Sequence, residues 1–165
     1  MVSMQRLTLA STAAVCLGFG SPTAFADGAK DLVGTWQLVS NVLDRDGQKV
    51  DQFGPNPHGI LYFESDGHYV LSIVRDGLPK IASGNRMNAN ADENKAIVQG
   101  SISHFGTYNV EGDKIVFHVE HATLPNWDGG MQARPYKISG EEMSFFVAAA
   151  SAGGGSSVVS WKRQK

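Results

Sequence analysis

The densest run of side chains able to do chemistry is His118, Glu120 and His121, followed closely by Asn126 and Trp127. In an extended strand successive side chains point to opposite faces, so His118 and Glu120 share one face with Val116, while Phe117, Val119 and His121 share the other. On a cavity-facing strand a carboxylate beside an imidazole orients it and tunes its proton affinity. That arrangement suits His118 to general acid/base work with Glu120 as its orienter. On a solvent-facing strand the same two residues are a solvated pair of no consequence, and the spacing alone leaves both faces open. With His104 from the preceding segment the group also raises zinc. Neighbours along a strand diverge, however, and only a bulge at its end would bring His121 beside His118. No standard zinc-ligand spacing is present, so no metal is expected.

Arg134 shares a strand face with Gln132 and Tyr136 and can meet Glu120 across a strand pair. A buried pair of that kind is either an anchor for a ligand carboxylate or hydroxyl or a structural ion pair, and the structural pairing is preferred. Tyr62, Tyr69, Tyr108 and Trp127 offer wide apolar faces with one hydrogen-bonding atom each, which suits them to line a binding wall or to fill a core. No serine sits in a Gly-x-Ser-x-Gly turn. Gly153-Gly154-Gly155 is not followed by Lys-Ser/Thr and a helix, as a phosphate loop would be. No cofactor motif is present, and Trp36 and Trp161 are assigned to barrel closure.

These residues need elements to hold them. Eight segments, 33–42, 59–63, 68–74, 104–110, 114–121, 131–138, 142–147 and 156–162, are rich in Val, Ile, Phe and Tyr, many with two-residue alternation. Turn signals at Asp46-Gly47, Asp66-Gly67, Gly112-Asp113 and Gly140-Glu141 make consecutive strands antiparallel neighbours. The pattern predicts an all-β, up-and-down antiparallel barrel of about eight strands, with a β-sandwich as the alternative. The long interruption over 75–103 carries a short helix from about Asp92 to Gln99, capped by Asn90, and is expected to cover one barrel mouth.

The first 26 residues have the form of a cleaved export signal: basic Arg6, an apolar run over 7–19, and Ala24-Phe25-Ala26 ahead of a mature start at Asp27. The apolar run is too short and interrupted to anchor the chain in a membrane. Cys16, the single cysteine, leaves with it, so the expected domain over 27–165 has no disulfide and relies on its core. A formal charge of −2, with no basic run, argues against nucleic acid or an anionic membrane surface as a partner. The expected location is periplasmic or extracellular.

Leu32-Val33-Gly34-Thr35-Trp36-Gln37-Leu38-Val39-Ser40, Gly59-Ile60-Leu61-Tyr62-Phe63 leading to Asp66-Gly67-His68-Tyr69, and Pro125-Asn126-Trp127-Asp128-Gly129 resemble the small single-domain lipocalin-like family. Phe117-His118-Val119-Glu120 and Gln132-Ala133-Arg134 in the same order sharpen the likeness, which runs from about Asp31 to Arg163. The resemblance implies a lipocalin-type barrel around a pocket for a small, mainly apolar molecule, with no implied activity. It also implies a basic residue near the chain end, Arg163 or Lys162, packed over Trp36. The leading expectation is therefore an exported protein that binds a small hydrophobic or amphipathic molecule through Tyr62, Tyr69, Tyr108, His118, Glu120, Asn126, Trp127, Gln132 and Arg134. A barrel isomerase, cyclase or hydratase using His118 and Glu120, and a filled barrel serving as an interaction module, are the alternatives.

Overall fold

Alternating segments with one apolar face cannot be stable alone, and here they bury that face by closing on themselves. The computed structural model describes residues 27–165, and the export segment expected ahead of them lies outside the described residues. Nine strands, β1 (Gly34–Arg45), β2 (Gln48–Asp51), β3 (His58–Phe63), β4 (His68–Val74), β5 (Ser101–Glu111), β6 (Lys114–Ala122), β7 (Met131–Ser139), β8 (Glu142–Val147) and β9 (Ser156–Arg163), form one antiparallel sheet. The sheet runs in the order β2-β1-β3-β4-β5-β6-β7-β8-β9, and pairing of β1 with β9 from Trp36–Arg163 to Asp44–Ser156 closes it. This closure makes an eight-stranded barrel and excludes the sandwich.

The strand absent from the sequence reading is β2, whose four residues are all exposed and carry no alternating apolar pattern. Its signal is the turn alone. Asp46 (φ 53°) and Gly47 (φ 86°) both take the left-handed conformation that a tight hairpin needs, so β2 folds directly back on β1. Both β2 and β3 pair with the same edge of β1, at residues 42–45 and 34–37 respectively. The chain between them, 52–57, leaves that edge and drives Phe53 into the barrel, where it is almost fully buried.

Two bulges break the two-residue period. In β1 the register against β9 shifts between Leu38 and Ser40, so Val39 is the extra residue and is exposed. Beyond it Asn41 and Leu43, rather than Ser40 and Val42, face inward and are buried. In β6 the shift falls where Phe105 pairs with His121 and Gly106 with Val119, leaving Glu120 as the extra residue. Gly106 permits this, because a Cβ there would lie 2.1 Å from the His118 carbonyl oxygen.

One barrel end is packed solid. The short helix α1 (Asp27–Lys30) and the turn after it bring Ala29 and Leu32 under Trp36, whose indole Nε1–H donates to the Leu32 carbonyl at 2.7 Å. Arg163, not Lys162, closes this end. Its guanidinium lies 4.2 Å from the Trp36 ring centroid and donates to the carbonyls of Val33 and Asp31. The core continues through Leu61, Phe63, Ile115, Phe117, Met143 and Trp161.

At the other end lies the 75–100 excursion. Its helix α2 (Ala91–Gly100) begins as the sequence predicts: Asn90 accepts from Glu93 N–H at 2.9 Å, and the Glu93 carboxylate accepts from Asn90 N–H at 2.8 Å. The same carboxylate accepts from Ala82 N–H, tying the loop's first half to the helix and holding the Glu93 carboxyl below its ordinary range.

Candidate functional site

The mouth beneath α2 contains two adjoining spaces. The outer one, about 770 Å³, lies among Leu43, Val50, Arg75, Ile97, Val98 and Leu124. The inner one, about 50 Å³, is bounded by Leu71, Ile73, Phe117, Phe145 and Val159 and by the polar residues Asn41, His104, Arg134 and Ser157. Gln52, Phe53, Ile102 and Ser151 border both, forming a collar between vestibule and chamber. A water needs roughly 10–15 Å³, so the chamber has room for a few water-sized groups and the vestibule for a much larger molecule.

Arg134 projects inward from β7, because its strand partner Ile115 is a core residue and opposed residues share a face. Its guanidinium donates to Gln132 Oε1 and lies 5.8 Å from the Phe145 ring centroid. Glu120, the partner expected from sequence, sits in the β6 bulge and is exposed. Among the described residues no carboxylate lies within ion-pair distance of Arg134. Burial works against its charge, with only Tyr69 acting the other way, and pushes the guanidinium down to about 10.

His104 is inward on β5 and buried, and its Nδ1 lies 2.8 Å from the Tyr69 hydroxyl on β4. Burial, and then the charge of Arg134, push the imidazole down to about 4, so it is neutral at physiological pH. Burial likewise raises the Tyr69 phenol above its ordinary value. The phenol and Nδ1 share one hydrogen bond, which leaves Nε2 as the other ring nitrogen of a residue on the chamber wall. Asn41 Oδ1 is buried without a hydrogen-bond partner among the described residues.

Trp127 closes one side. It sits on the 3-10 turn Pro125–Trp127 after β6, its ring edge-on to His104 with centroids 5.5 Å apart. Asp128 holds this turn to the strand end, accepting from Ala122 N–H at 2.8 Å and pairing with His121 Nδ1 at 3.1 Å.

The residues singled out in sequence thus divide. Trp127 and Arg134 line the chamber, and Gln132 and Tyr69 stand directly behind them, bonded to Arg134 and His104. His118 and Glu120 do not join them: Phe117 and Val119 take the inner face of β6, so His118 faces outward and bonds Asn109 Oδ1 at 2.7 Å. The β6 bulge also reverses the expectation for His121, which shares the outer face with Phe105 and is exposed. Tyr62 is exposed on the outer face, and Asn126 is exposed. Tyr108 is buried toward the packed end, donating to the Glu64 carbonyl at 2.9 Å. Among the described residues no group of three or more His, Cys, Asp or Glu is placed to hold a metal.

Sequence reasoning missed Asn41, Phe53 and Ser157 and treated His104 only as a metal ligand. Alternation with Tyr108 and Gly106 was enough to turn His104 inward, whereas Asn41 was hidden by the Val39 bulge. Among curated proteins no match to the chain is found. A family model described as a lipocalin-like domain matches residues 33–164, from the strand that opens the barrel through the arginine that closes it. The chain belongs to the lipocalin-like domain family.

Proposed function

We propose that this protein is an exported binder of a small amphipathic molecule, taken up through the mouth under α2 and held with its polar end innermost. The observation that carries this reading is the pair of adjoining spaces: a vestibule of about 770 Å³ with Ile97, Val98, Leu43 and Val50 on its walls, and a smaller chamber where Asn41, His104, Arg134 and Ser157 gather. A barrel serving only as an interaction module has no use for a buried guanidinium and an unpartnered amide oxygen at the bottom of a cavity, since each costs free energy that an apolar side chain would not. Export is part of the same proposal. It predicts a mature protein recovered outside the cytoplasm whose first residue is Asp27.

Native mass spectrometry of the protein purified gently from an exporting host tests the binding reading. A stoichiometric organic adduct is expected, and removing Trp127 weakens its retention. An adduct-free protein that also ignores amphipathic probes in solution contradicts it. Proton-transfer catalysis is the second reading, favoured by the hydrogen bond between Tyr69 and His104. It assigns acid/base work to His104 in the chamber instead of His118 on the outer wall, and full turnover by His104→Gln with any identified substrate sinks it.

A further inference from the structure

We propose that the chamber is built for an anionic headgroup, and that the ligand is an amphiphilic carboxylic acid whose carboxylate is held by Arg134 and whose apolar body fills the vestibule. This rests on the binding reading above and narrows its ligand class. Three features of the chamber converge on it. Arg134 carries a charge that no described carboxylate answers, and its bond to Gln132 occupies only part of a five-donor fork. The hydrogen bond with Tyr69 engages Nδ1 of His104, so Nε2 is the ring nitrogen that remains for a guest. The other boundaries, Phe117, Phe145, Leu71, Ile73 and Val159, supply no competing anion.

A cation in such a place is satisfied best by a carboxylate, which accepts two parallel N–H bonds from a guanidinium and a further one from a neutral imidazole. A neutral alcohol accepts fewer bonds and leaves the charge unanswered, and an alkylammonium adds a second positive charge to the first. Asn41, whose buried side-chain oxygen has no partner among the described residues, adds a further polar group on β1 that the guest's polar end can meet. The collar of Phe53 and Ile102 grips the chain between head and body.

The experiment compares decanoate, 1-decanol and decyltrimethylammonium, each below its micelle concentration, by calorimetric titration of the mature protein at pH 7.5. The wild type is expected to bind decanoate about tenfold or more tighter than decanol and to reject the ammonium. Arg134→Met removes the preference while keeping decanol binding, and Arg134→Lys retains part of it, a point charge without the fork. Equal affinity for decanoate and decanol in the wild type overturns the headgroup assignment and leaves the binding reading standing. Tighter binding of the ammonium overturns it also. Failure of all three to bind contradicts both. The wild-type comparison decides the matter whether or not a variant folds.

Discussion

Tyr69 Oη and His104 Nδ1 share a hydrogen bond of 2.8 Å, joining strands β4 and β5 at a position where both residues are buried. The bond orients the imidazole, and burial keeps the ring neutral. It is the best-defined polar contact of the chamber wall, and it has a consequence for stability.

The imidazole of His104 is pushed down to about 4 in the folded protein, while the unfolded chain protonates near 6.5. Between those values the unfolded state binds the extra proton, so stability falls as pH drops from about 6.5 and the loss is complete near pH 4. The full effect is about 3 kcal/mol. Urea unfolding measured from pH 7 to 4 should show this slope, and His104→Gln should flatten it.

Arg134 gives a prediction of the same sign at higher pH. Its guanidinium is pushed down to about 10, so at neutral pH the protein carries the cost of a half-buried charge that no described carboxylate answers, which is relieved only as pH rises through that value. Arg134→Met should therefore stabilise the ligand-free protein by about 1–3 kcal/mol, read as a higher Tm. A destabilised variant would mean that the guanidinium is neutralised within the protein.

Phe53 enters the core from a segment outside any strand and is nearly fully buried. Phe53→Ala should cost about 3–5 kcal/mol in chemical denaturation. Because the same ring separates vestibule from chamber, the variant should also exchange ligand faster, with the larger change in koff.

At the packed end, Arg163→Ala removes a cation stacked on Trp36 and two bonds to carbonyls, and should cost about 3 kcal/mol. Lys162→Ala, on the exposed side of the same strand, should fall within about 0.5 kcal/mol of wild type.

Most of the barrel was legible because its strands follow the two-residue period. All eight expected segments are strands, and the capped helix in the long loop stands where Asn90 signals it. What escaped was set by departures from that period. The Val39 bulge turned Asn41 inward, the bulge at Glu120 turned His121 outward, and β2 has a turn signal but no apolar face. The expectation about the site failed at His118 and Glu120 for a related reason. Polar residues on a strand gave no sign of which face was inner, whereas Phe117 and Val119 between them are the apolar pair that the core requires.

On the reading proposed above, the mouth, and not the packed end or the outer wall, receives the ligand. The three tryptophans permit a direct test, since Trp127 stands at the chamber while the Trp36 indole N–H is bonded to Leu32 at the packed end. Titration of 15N-labelled protein with decanoate, followed through the indole N–H signals, should move the Trp127 resonance saturably and leave that of Trp36 in place. Saturable binding that shifts Trp36 and spares Trp127, or leaves every indole signal unmoved, would contradict it.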